Sequence, residues 1–142
     1  MANTPLPRRQ LQQLAKLRLR EAEALYNAGL YDGSVYLAGY SVELALKARI
    51  CRLLGLQNYP LELGQAFKIH NLEQLKKLAG LTRKVDPIRN RRLFDNWSKA
   101  VVWDPEQRYE APGRYDVRAA KVILDSIREK PNGVLTWLSR RW

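Results

Sequence analysis

The sequence predicts an all-α fold, an antiparallel bundle of four main helices plus short ones. Three observations lead there. Apolar residues recur at three- and four-residue spacing over long stretches. Asparagine, aspartate, proline and glycine stand where helices would start and stop. No stretch alternates apolar with polar as a half-buried strand would. At 142 residues the chain suits one domain with a real core and is short for two, so a single domain over residues 1–142 is expected, with 131–142 as a C-terminal tail segment.

Over residues 6–28, Leu11, Leu14, Ala15, Ala22 and Leu25 share one face with charges between them, which makes an amphipathic first helix. Gly29 suits its C-cap, and a helix starting at Tyr31 after so short a turn has to fold back antiparallel. That second helix carries two non-polar stripes. One is Val35, Gly39, Val42, Leu46, Ile50 and Leu53; the other, Ser34, Ala38, Ser41, Ala45 and Ala48, is all small and lets neighbouring backbones come close. A helix apolar on two faces belongs at the centre, and this one should end near Gly55.

Residues 55–69, with Asn58, Pro60 and Gly64, read as a long loop with room for a helical turn. Asn71, with Gln74 three residues on, offers a capping box to a short helix bearing Leu72, Leu75 and Leu78 before Gly80. Asp86 at N-cap and Pro87 at N1 predict the next start, for a helix with Phe94, Trp97 and Val101 on its apolar side that ends at Trp103. The segment DPEQRYEAPGRYD, with two prolines and a glycine, is a loop. The last main helix turns Val117, Ala120, Ile123, Leu124 and Ile127 inward and Arg118, Lys121 and Arg128 outward, stopping at Pro131-Asn132-Gly133. The tail VLTWLSRRW is too short to stand alone as a helix, so Trp137, Leu138 and Trp142 either dock on the bundle or meet another chain.

Charge is the strongest compositional signal: 25 Lys and Arg against 14 Asp and Glu leave a net +11. Arg8, Arg9, Lys16, Arg18 and Arg20 all precede the first acid, Glu21, and RKVDPIRNRR gathers Arg83, Lys84, Arg89, Arg91 and Arg92 around Asp86. Such a surplus favours a polyanion, nucleic acid or nucleotide, because neutralised phosphates release counterions; a solvated face or an acidic protein partner is the alternative. No window approaches the roughly 20 apolar residues of a membrane span, and no apolar stretch follows the N-terminal arginines. A soluble, cytoplasmic protein with no membrane contact is expected.

Several chemistries are excluded by what is missing. The sequence has no GxGxxG or GxxxxGK[ST] to cradle phosphates, no CxxC, no HExxH and no GxSxG, so no cofactor and no metal site is expected. Its one cysteine, Cys51, lies in an apolar helical pattern as a small core residue. Its one histidine, His70, precedes the capped helix, as a structural hydrogen-bonding residue would. Glu43 and Lys47 stand in the favourable i,i+4 order on the stripe of Tyr36 and Tyr40. If that stripe is partly buried, the pair needs further hydrogen bonds, because an unpaired buried charge is destabilising. Arg108-Tyr109 and Arg114-Tyr115 recur in the Pro/Gly loop, where guanidinium forks can bind phosphate and tyrosines can stack on bases, or the tyrosines simply anchor the loop.

In the order EAEALYNAGLYDGSVYLAGYSVELALKARI, HNLEQL and RYE, the chain resembles the HEPN family of small prokaryotic helical domains over most of residues 14–128. The resemblance implies a helical bundle that dimerises. It also implies RNA cleavage, RNA or nucleotide binding, or pairing with a nucleotidyltransferase in toxin–antitoxin or defence-like systems. Ribonuclease members carry an arginine followed four to six residues later by histidine. Here Arg89-Asn90 resembles the start of that motif, but Phe94, Asp95 and Asn96 stand where the histidine would be, and no such arginine precedes His70. Metal-free cleavage needs a proton shuttle near neutral pH beside a cation, and arginine supplies only the cation.

The resulting expectation is a homodimeric domain with no catalytic residue that binds RNA or nucleotide, beside a nucleotidyltransferase partner. Its phosphate and base contacts fall to Arg89, Asn90, Arg92, Arg108, Tyr109 and Arg114, and Glu43, Lys47 and His70 form a structural polar cluster. A metal-independent endoribonuclease with a degenerate motif is one alternative. A protein-interaction adaptor that uses Trp137 and Trp142 is another.

Overall fold

The structure, a computed structural model, describes residues 4–142. Helix α1 (Arg8–Asn27) and helix α2 (Tyr31–Leu54) form an antiparallel hairpin. Gly29, at φ 79, makes the turn in a left-handed conformation that a side chain would strain, and Gly55, at φ 67, ends α2 the same way. The small-residue stripe does what its sizes allow: Ser34 packs so close to α1 that its hydroxyl donates to Ala22 O at 2.6 Å. On another face, Gly39 seats the Trp103 indole, since a Cβ there would lie 2.0 Å from Trp103 Cδ1. Every residue from Ser41 to Cys51 except Arg49 is buried, so α2 is the central helix, touching α1, α3, α5 and α6.

Beyond α2 the chain crosses the bundle end through two single 3-10 turns, Leu61–Leu63 and Gln65–Phe67. Helix α3 (Leu72–Leu78) follows, with Gln74 N–H donating to the Asn71 side chain at 3.0 Å as an N-cap should. Helix α4 (Arg91–Ala100) starts later than the Asp86-Pro87 signal predicts. Asp86 instead closes an isolated turn, accepting Ile88 N–H at 2.7 Å, and the chain then extends at Asn90 (φ −153), whose side chain caps α4 by accepting from Leu93 N–H at 3.0 Å. Asn90 also donates to Asn132 Oδ1 at 2.9 Å, a tertiary contact that no local signal encodes.

The Pro/Gly loop contains a 3-10 helix, Pro105–Tyr109, capped by Asp104. Helix α5 (Val117–Arg128) is capped by Asp116 and buries Ala120, Leu124 and Ile127, while Val117, expected inward, is 50% exposed at the first position of the helix. Leu53, expected on the core stripe, is likewise exposed in the last turn of α2. Helix α6 (Val134–Leu138) and the residues after it dock on the bundle: Trp137, Leu138 and Trp142 are all buried, and the Trp142 main-chain oxygen accepts from Arg8 and Gln12 on α1. Burial removes both tryptophans from the surface that an adaptor reading would use. Among the described residues there are six α-helices and no strand, and no helix is long and apolar enough to cross a membrane.

Candidate functional site

Asp32 opens α2 as a lone carboxylate in an apolar run, and its two oxygens each accept a main-chain N–H from the distant loop, Tyr115 at 2.8 Å and Gly113 at 2.7 Å. Those bonds, Tyr115's first, hold its carboxyl below the usual range. The loop is thereby latched over the start of α2, and between them lies a cleft of about 370 Å³, a size that suits a small ligand or one unit of a polymer. Arg108, Arg114, Tyr36, Tyr115 and Gln107 line it together with Asp32.

Its charge is graded. Arg114 pairs with Glu110 and lies 5.3 Å from the centre of the Tyr115 ring. Arg108 pairs with no carboxylate among the described residues and sits 4.7 Å over the Tyr109 ring. Tyr109 first and then Tyr36 favour its charged form. Tyr36 stacks parallel on Tyr40 at 6.5 Å and tilts against Trp103 at 6.1 Å, so the cleft has a rigid aromatic wall. The amide of Gln107 is buried with neither its oxygen nor its nitrogen hydrogen-bonded. A permanent cation and aromatic walls can together hold a phosphate beside a planar ring.

The stripe of Tyr36 and Tyr40 continues along α2 to Glu43 and Lys47. Glu43 is 2% exposed, with Lys47 Nζ 3.2 Å from one carboxylate oxygen and His70 Nδ1 3.0 Å from the other. The Lys47 ammonium also lies 5.3 Å over the ring of Tyr59, whose hydroxyl donates to Phe67 O at 2.7 Å. Glu43, Lys47 and His70 are therefore brought together, and the buried pair ties residues 59–70 to the central helix. The imidazole side chain itself is 61% exposed.

The residues expected to touch phosphate and base do not converge on one place. Arg108 and Arg114 line the cleft, but Tyr109 is not among its lining residues and is 73% exposed. Arg89 and Asn90 border a separate shallow depression with Lys84, Trp137 and Arg141. Asn90 is engaged as a cap, and Arg92 in a two-bond fork on Glu129 at 2.6 and 2.7 Å. Sequence reasoning did not place Asp32, Tyr36 or Gln107 at a ligand site, and offered Tyr115 only as a loop tyrosine that stacks on bases or anchors the loop. For Asp32 a signal existed, its isolation among apolar neighbours; for the other three the cleft exists only once α2 and the loop meet.

Among the described residues no group of three or more His, Cys, Asp or Glu is arranged to hold a metal ion. Cys51 is buried, which pushes its thiol up to about 11 and leaves it inert near neutral pH. In comparison with known proteins, the family model described as HEPN domain matches residues 9–129. No curated protein and no solved structure matches the chain.

Proposed function

Because the chain belongs to the HEPN domain family, we propose that it is a non-catalytic RNA- or nucleotide-binding domain of the cytoplasm, with its ligand seated in the cleft between α2 and the 105–115 loop. The observation that carries this reading is the cleft's composition: Arg108 without a carboxylate partner, beside Tyr36 and Tyr115. Arg108 would hold a phosphate and the tyrosines would stack on a base. Family membership supports the wider part of the proposal, a homodimer working beside a nucleotidyltransferase in a toxin–antitoxin or defence-like system.

Fluorescence anisotropy with a labelled single-stranded oligoribonucleotide tests the cleft. Arg108→Ala should weaken binding by roughly ten- to a hundredfold, the range of about 1.5–3 kcal/mol for a hydrogen bond to a charged group. Unchanged affinity in both Arg108→Ala and Tyr36→Ala would remove the cleft from the proposal. The second reading, metal-independent RNA cleavage, is favoured by one feature: an exposed imidazole oriented by a buried carboxylate is how a general base is held. Incubation with mixed RNA in EDTA separates the two. The binding reading expects intact RNA, whereas cleavage that His70→Ala abolishes would replace it.

A further inference from the structure

Tyr36 and Arg52 lie sixteen positions apart on α2, ~24 Å along its axis. At the Arg52 end is a second groove, of about 820 Å³, between the first turn of α1 and the segment that follows α2. Its walls are cross-tied by main-chain hydrogen bonds, Arg8 N–H to Gln57 O at 2.7 Å and Tyr59 N–H to Leu6 O at 2.8 Å. Arg8, Arg9 and Arg52 line it with the carboxamides of Gln12, Gln57 and Asn58, and no aspartate or glutamate is among the lining residues. Arg8 is steadied by the Trp142 main-chain oxygen, which accepts from its Nε at 3.0 Å. Arg9 and Arg52 are exposed, and among the described residues neither pairs with a carboxylate.

Three like charges around one groove repel each other, and a bound anion turns that repulsion into attraction. Guanidinium forks favour phosphate, which they can meet with two parallel hydrogen bonds. Arg9 also begins a row. Arg9, Lys16 and Arg20 fall on one face of α1 and are all exposed, with Gln13 between them, and the row runs ~17 Å along the helix. No acidic residue occurs on α1 before Glu21.

We propose that this groove is a second anion site, which takes phosphate groups through Arg9 and Arg52 and continues along Lys16 and Arg20. It does not depend on the cleft between α2 and the 105–115 loop. The phosphates belong either to an RNA backbone, which the row on α1 would follow, or to a free polyphosphate compound held in the groove.

The test compares the full-length chain with its Arg9→Ala/Arg52→Ala variant against two probes. These are a labelled single-stranded oligoribonucleotide, read by anisotropy over a salt series, and inorganic tripolyphosphate, read as a shift in melting temperature. Both side chains are exposed and unpaired, so the variant should fold; circular dichroism checks this, and Arg9→Lys/Arg52→Lys should restore much of the binding. Losing two phosphate contacts on a single strand should weaken RNA binding roughly ten- to thirtyfold at about 0.1 M salt and make the log–log salt slope shallower by about 1.4. That result supports the groove with RNA as the source. A tripolyphosphate shift lost in the variant, with RNA binding unchanged, supports it with a free phosphate compound as the source. If the variant matches the wild type with both probes, the groove is not an anion site. Arg108→Ala run in parallel keeps the proposals apart, since RNA binding weakened by that change alone, with the tripolyphosphate shift intact in the groove variant, overturns the groove and leaves the cleft.

Discussion

Glu43 is a carboxylate buried in the central helix of the molecule, and its position follows from what it must hold. Its two oxygens face Lys47 and His70, and Lys47 in turn covers the Tyr59 ring, so a pair spaced as a surface i,i+4 contact becomes the tether of residues 59–70. An exposed pair at that spacing contributes a few tenths of a kcal/mol. Here Lys47 is 7% exposed, and removing its partner leaves a buried charge uncompensated. Glu43→Ala is therefore expected to lower unfolding free energy in urea by about 3–5 kcal/mol, whereas the double change Glu43→Leu/Lys47→Met should recover most of it. A loss below about 1 kcal/mol for Glu43→Ala would mean that the pair behaves as a surface contact. Asp32 performs the same office at the start of α2 with backbone donors instead of a cation. Glu43 was legible as an odd residue in an apolar run and was grouped with Lys47 and His70; Asp32 was passed over, and its partner Tyr115, 83 positions away, is not encoded by any local signal.

At the scale of elements, the helices whose boundaries are set by local chemistry stand where the sequence places them. Asn71 caps α3 and Gly55 ends α2 in the left-handed conformation. The start of α4 differs because Asn90, four residues past Asp86, caps the helix in its place. Asp86-Pro87 is satisfied by a single turn, while Asn90 gains a partner from the far side of the bundle and becomes the cap. Asn90→Ala should consequently destabilise the fold by about 1 kcal/mol or somewhat more in thermal or urea unfolding, in the upper part of the ordinary range for a lost N-cap because the Asn132 bond goes with it. Asp86→Ala, which removes only a turn contact, should cost about 0.5 kcal/mol or less. The reverse order would restore Asp86 as the helix start.

For the whole molecule, acid is the informative condition. Glu129 accepts from Arg92 and from Asn96, and the Arg92 contact above all lowers its carboxyl to about 2. Asp32, Glu73 and Asp125 are shifted in the same direction. A carboxyl whose folded value lies below its unfolded one stabilises the fold above the unfolded value, and that contribution fades as pH falls through the folded value. The melting temperature should therefore decline between about pH 4.5 and pH 2. Glu129→Gln should make that decline shallower; an identical acid profile for the variant would dissociate Glu129 from acid stability. The same low pH raises a net charge already at +11, which adds self-repulsion to the loss.

The sequence alone determined the all-α class, the hairpin of α1 and α2, the centrality of α2 and the basic surplus. Each of these rests on spacing and composition within a stretch of chain, where helical period and residue size act locally. Only the tertiary structure decided that Trp137 and Trp142 belong to the core and that Arg92 and Asn90 are engaged within the fold. It alone brings Arg108 and Arg114 to one cleft and Arg9 and Arg52 to another groove. The reason is physical: whether an arginine is free for a ligand depends on whether a carboxylate from elsewhere in the chain reaches it. That is a question of distance through space, which residue order does not contain.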